Sequence, residues 1–135
     1  MAQAKIIIID DDEVTCKLLH GMLSKTDYQV DTYTDPLDGV ENVIMDKPQL
    51  LVLDNTLTGL SASDVMVTLS EAHIFQHTKV MMVTGAHLNE SEVIAIKTLG
   101  IEKILQKPVN KEEFLSTCDQ FIKEIEEEIE AKKAA

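Results

Sequence analysis

Four consecutive isoleucines, Ile6 to Ile9, run straight into Asp10-Asp11-Asp12-Glu13. An unbroken β-branched run has no polar face to offer solvent. It reads as a central strand of a parallel sheet, covered on both sides. Four more apolar runs follow, and helical stretches separate them. Val14, Leu18, Leu19, Met22 and Leu23 fall at helical spacing, and a weaker strand covers Gln29 to Thr34. Asp35-Pro36 starts a helix carried by Val40, Val43 and Ile44, and Lys47-Pro48 ends it. Leu50 to Leu53 is the third strand, backed by a helix marked by Val65, Met66 and Leu69. Val80 to Val83 is the fourth. A helix over Glu90 to Leu99 stops at Gly100, Ile101 to Leu105 forms the last strand, and a long helix runs from about Lys111 to Ala131.

Strictly alternating strands and helices require right-handed crossovers, with helices on both faces of a parallel sheet. The predicted class is α/β, a doubly wound five-stranded sheet. The chain has 135 residues, room for one domain with a real core, and no repeat or linker divides it. No charged-then-apolar leader and no long apolar run is present, so the expectation is a cytoplasmic protein with no membrane segment. Cys16 and Cys118 each lie within a helical apolar pattern and read as reduced core thiols rather than a disulfide or metal pair. His20, His73, His77 and His87 show no ligand-like clustering.

With 12 basic side chains against 24 carboxylates, the net charge is −12. Nucleic acid is bound by neutralising phosphates with Lys and Arg, so direct nucleic-acid binding is excluded.

Functional groups of such sheets gather at the C-terminal strand ends. The first strand ends in Asp10-Asp11-Asp12-Glu13, the third in Asp54, the fourth in Thr84 and the fifth in Gln106-Lys107-Pro108. Crowded carboxylates repel unless a cation shares the site, and hard oxygen ligands suit magnesium. Lys107 would add a second positive charge for an anion, and Thr84 a hydrogen bond, which together make a phosphoryl-transfer site. Each group also has a plainer reading. Asp12 reads equally as a helix cap, Asp54 as a turn residue and Lys107 as a solvated lysine. The functional reading rests on all of them sharing one edge.

The ordered set Ile-Ile-Ile-Ile-Asp10-Asp11-Asp12-Glu13, Leu-Val-Leu-Asp54, Met-Val-Thr84-Gly85 and Leu-Gln-Lys107-Pro108 resembles the receiver domains of bacterial two-component response regulators, over Lys5 to about Lys123. That resemblance implies the strand order 2-1-3-4-5 and a receiver spanning residues 1–123. It implies that Asp54 is the phosphoacceptor. Mg2+ is then bound directly by Asp11, Asp54 and the backbone carbonyl of Thr56, with Asp10 acting through a metal-bound water. Thr84 turns toward the phosphoryl group and Lys107 pairs with its oxygens, aimed by a cis bond to Pro108. The implied partners are a sensor histidine kinase or phosphotransfer protein and a downstream output domain or protein. The receiver itself is a monomer or weak dimer, and a signalling switch rather than an enzyme.

Two departures stand out. Leu57-Thr58-Gly59-Leu60-Ser61-Ala62 replaces the family's usual Met-Pro-x-x-Asp-Gly, and the aromatic switch position of the last strand holds Ile104. An aliphatic packing change is expected in place of an aromatic rotamer.

Residues 124–135 continue as acidic helical sequence, a tail or linker stub, with a dimer contact through Ile125 and Ile129 as the other reading. Two rival functions remain. Asp10-x-Asp12-x-Val14 also resembles the nucleophile motif of haloacid-dehalogenase-like phosphatases, which would make Asp10 the nucleophile. The other rival is a phosphorylation-independent interaction module.

Overall fold

The computed structural model describes residues 3–55, 57 and 59–134. In chain order the elements are β1 (Lys5–Ile9), α1 (Glu13–Met22), β2 (Gln29–Tyr33), α2 (Pro36–Asp46), β3 (Leu50–Asp54), α3 (Ala62–Glu71), β4 (Lys79–Thr84), α4 (Glu90–Thr98), β5 (Lys103–Gln106) and α5 (Lys111–Ala134). All neighbouring strands pair in parallel, in the order β2-β1-β3-β4-β5. The order therefore reverses between β1 and β3, as expected.

Successive strand residues point to opposite faces, which splits the apolar runs between two cores. Ile7, Ile9, Leu51, Leu53 and Met82 meet Val40, Val43, Val65, Met66 and Leu69 from α2 and α3. Ile6, Ile8, Val52, Met81 and Val83 meet Leu19 from α1 and Phe114, Cys118 and Phe121 from α5. Ile6 to Ile9 are fully buried, as a strand covered on both faces requires. Both thiols are free and buried.

Helix starts follow local chemistry. The Asp12 side chain caps α1 by accepting from Val14 N–H, and Asp35 caps α2 by accepting from Leu37 N–H, with Pro36 in the first turn. Ser61 with Asp64, and Asn89 with Glu92, form reciprocal capping pairs on α3 and α4. α4 is weakly anchored, with only Ile96 buried.

Three boundaries differ from expectation. A short 3-10 turn, Ile74–Gln76, precedes β4. β5 begins at Lys103, because Gly100 at φ 107 and the buried Ile101 form a packed turn rather than strand. α5 stays docked past Lys123: Ile125 is 1% exposed, and Glu128 pairs with Lys79 at 2.9 Å. Ile125 is thus covered within the chain.

Candidate functional site

β1 delivers Asp10 to the C-terminal edge of the sheet, where it is 2% exposed. Its Oδ1 accepts from Asp12 N–H at 2.9 Å and its Oδ2 accepts from Lys107 Nζ at 3.0 Å. β3 delivers Asp54, 6% exposed, whose Oδ1 lies 3.4 Å from the same ammonium. Asp11 projects from the turn after β1 and is exposed. Oxygens of Asp10, Asp11 and Asp54 lie within 4.8 Å of one another. Three hard oxygen donors so close together suit a small divalent cation, and Asp11 leaves one side open to water.

Lys107 stands between Asp10 and Asp54. Burial disfavours its charge, but the hydrogen bond to Asp10 and the charges of Asp10 and Asp54 outweigh it, so its pKa is raised. The lysine is a fixed cation at the site. Its backbone N–H donates to the carbonyl of Thr84 at 2.7 Å, tying the end of β5 to the end of β4. The Lys107–Pro108 bond is cis.

Thr84 is fully buried at the end of β4. Its Oγ1 accepts from Ala86 N–H at 3.0 Å, which leaves the hydroxyl proton available to donate. Ile104 is half-buried on β5 and packs with the α2–α3 core, as does Leu88 of the loop after Thr84. Thr56, the expected carbonyl ligand, lies outside the described residues.

The sheet therefore brings together Asp10, Asp11, Asp54, Thr84 and Lys107. Asp12 stands apart: its carboxylate accepts from Thr15 Oγ1 at 2.8 Å and from Val14 N–H at 3.1 Å. Those bonds, Thr15 first, hold its carboxyl below the usual range. Its plain reading as a cap is the observed one. Asp10 is tied to Lys107, and only α5 follows β5 among the described residues, with no further strand for a hydrolase's last acidic motif.

Sequence reasoning missed two features. Asp10 is the nearer partner of Lys107, a pairing across 97 positions with no local signal. Leu88 lines two cavities, one of about 390 Å3 with Met82 and Ile96 and another of about 290 Å3 with Ile104 and Val93.

The model of the response regulator receiver domain matches residues 6–119, spanning β1 through the first part of α5. This chain belongs to the response regulator receiver domain family. The receiver is 32% identical over 112 residues to the transcriptional regulatory protein KdpE of Staphylococcus aureus, covering 82% of this chain and 46% of KdpE. Against the polar-differentiation response regulator DivK of Brucella anthropi it is 22% identical over 117 residues, covering 87% of this chain and 94% of DivK. The receiver thus spans less than half of KdpE but nearly all of DivK. Among solved structures, a CheY-like receiver domain protein of Methanospirillum hungatei superposes at TM-score 0.82, with 22% identity and coverage of 94% and 99%. Chemotaxis protein CheY4 of Vibrio cholerae superposes at 0.81, with 19% identity and coverage of 89% and 99%. Response-regulator receivers act as signalling switches that work with histidine kinases and output domains. No described helix of this receiver is long and apolar enough to cross a membrane.

Proposed function

We propose that this receiver accepts a phosphoryl group on Asp54 and reports it through the loop after Thr84. The observation carrying this reading is the position of Lys107, 3.0 Å from Asp10 and 3.4 Å from Asp54 at the open carboxylate cluster. An Asp54 carboxylate oxygen attacks the phosphorus of a phosphohistidine or acyl phosphate in line. The new O–P bond forms as the bond to the donor's imidazole nitrogen or carboxylate breaks, and the departing group takes the electron pair.

Lys107 holds positive charge beside the phosphoryl oxygens, already oriented before the donor arrives. The Thr84 hydroxyl donates its free proton to one of those oxygens, which draws the Gly85–Leu88 loop inward. Asp10, Asp11 and Asp54 would hold Mg2+, Asp10 through a water, with the Thr56 carbonyl completing the protein ligands. When bound, Mg2+ supplies the positive charge that lets these carboxylates and the phosphoryl oxygens share one site. With Ile104 on β5, the readout is a shift in aliphatic packing between two populated states.

The donor is a sensor histidine kinase or phosphotransfer protein, and the recipient of the signal is an output domain or partner protein. In this reading residues 1–123 form the receiver, residues 124–135 are an acidic tail or linker stub, and the protein is cytoplasmic and a monomer or weak dimer. Its chemistry is confined to its own phosphorylation and dephosphorylation.

Intact mass after incubation with acetyl phosphate and MgCl2 tests the assignment. A phosphoryl adduct is expected on the wild type, lost in Asp54→Asn and lost on chelation. An adduct retained in Asp54→Asn but lost in Asp10→Asn overturns it. Absence of any adduct, from acetyl phosphate and from a histidine kinase alike, would favour an interaction module that works without phosphorylation.

A further inference from the structure

The family match ends at residue 119, and α5 continues well beyond it. Asp119, Ile122, Glu126 and Glu130 follow one another at steps of three and four, so they share one helix face. That face runs beside Tyr28, just ahead of β2, and the two enclose a groove of about 460 Å3. Its floor is apolar: Ile122 is buried and the Tyr28 ring is half-buried, fixed by its hydroxyl donating to Asp119.

The rim is acidic. Asp119, Glu126, Glu127 and Glu130 line it, and Lys123 is the one base among the lining residues. Glu130 is partly offset by Lys133 at 3.7 Å. The negative field reaches the floor, where burial, the hydrogen bond to Asp119, and the charges of Asp119 and Glu126 all raise the Tyr28 pKa.

We infer that this groove docks a basic amphipathic helix of a partner protein. Aliphatic side chains of that helix would enter over Tyr28 and Ile122, and its Lys or Arg side chains would meet Glu126, Glu127 and Glu130. Charge selects this occupant. Anionic lipid headgroups and nucleic acid are repelled by the rim. A second copy would bring the same acidic rim, on a chain of net charge −12. The groove lies outside the carboxylate cluster, so the inference does not depend on phosphorylation at Asp54.

The test titrates the full 135-residue chain with a synthetic amidated peptide of leucines and lysines spaced as an amphipathic helix, followed by amide NMR. A scrambled peptide of the same composition is the control. Amide shifts are expected around Tyr28, Ile122 and Glu126. Affinity should drop by about tenfold for the scrambled peptide, and by at least about tenfold for Glu126→Lys/Glu127→Lys. Both substitutions fall on exposed positions, so the spectrum of the free variant checks its fold. Shifts centred on Asp10, Asp11 and Asp54, equal binding of the scrambled peptide, or unchanged affinity in the double variant would each overturn the inference. So would sedimentation showing that the chain alone dimerises through this face.

Discussion

Lys107 Nζ lies 3.0 Å from Asp10 Oδ2, joining the end of β5 to the end of β1 across the carboxylate cluster. The lysine is the internal counter-ion of two nearly buried acids. Lys107→Met would leave Asp10 and Asp54 without it, at a cost of about 1–3 kcal/mol in unfolding free energy. Millimolar MgCl2 should recover more stability in the variant than it adds to the wild type, since only the folded chain assembles the cluster. Thermal unfolding with and without MgCl2 measures both; equal gains in the two proteins would refute the counter-ion role.

Gly39 in α2 is expected to resist substitution. A Cβ there would sit 2.6 Å from Ile9 Cδ1, 2.7 Å from Ile9 Cγ1 and 3.3 Å from Tyr33 Cβ. Alanine gains up to about 1 kcal/mol in helix propensity. Overpacking against the fully buried Ile9 costs about 1–3 kcal/mol and wins. Urea denaturation of Gly39→Ala should show a lower midpoint, and a higher one would mean that Ile9 repacks freely.

Leu88 borders one cavity toward α3 and another toward β5, so it has room to repack in either direction. If it carries the phosphorylation signal, Leu88→Ala should still form the adduct with acetyl phosphate. Its stability should fall by about 1–2 kcal/mol, less than for a fully buried leucine. The phosphorylation-induced amide shifts in α4 and β5 should shrink. Undiminished shifts would place the signal path elsewhere.

Alkaline stability should report the buried thiols. Burial raises Cys16 to about 11 and Cys118 to about 12, from an ordinary 9.0. Above pH 9 the unfolded chain loses these protons first, so stability falls as pH rises, by about 1.4 kcal/mol per pH unit for each thiol. Tyr28 and the raised lysines act in the same direction, but only from their ordinary values of 10.0 and 10.5. The interval from pH 9 to 10 therefore belongs mainly to the cysteines, with a smaller share from Tyr28 and Tyr33. Cys118→Ala should roughly halve the slope there in denaturant titrations, and an unchanged slope would refute the assignment.

The strand ends were legible in the sequence because each apolar run terminates abruptly in a polar residue, as at Ile9-Asp10 and Leu53-Asp54. Asp12 and Asp35 were legible as caps for an equally local reason. What escaped was long-range or short. Ile101 reads as strand because it is apolar, but its burial comes from packing in a turn, and hydrophobicity reports burial rather than pairing. The turn at Ile74–Gln76 is too brief to show a period. The docking of α5 beyond Lys123 shows in the burial of Ile125 and in Lys79 meeting Glu128, 49 positions away. No window of the glutamate-rich sequence contains that contact.

The two sheet-based lysine clusters lie at the opposite pole from the site. Lys5, starting β1, holds Asp31 at 2.9 Å and Asp46 at 2.6 Å. Lys79, starting β4, holds Glu102 at 3.1 Å and Glu128 at 2.9 Å. Both ammonium groups sit where strands begin, whereas Asp10, Asp54, Thr84 and Lys107 sit where strands end. The ion-paired lysines and the candidate site thus occupy separate ends of the same β-strands. A substitution that loosens the ion pairs at the strand starts therefore acts at the far end of the sheet from the carboxylate cluster.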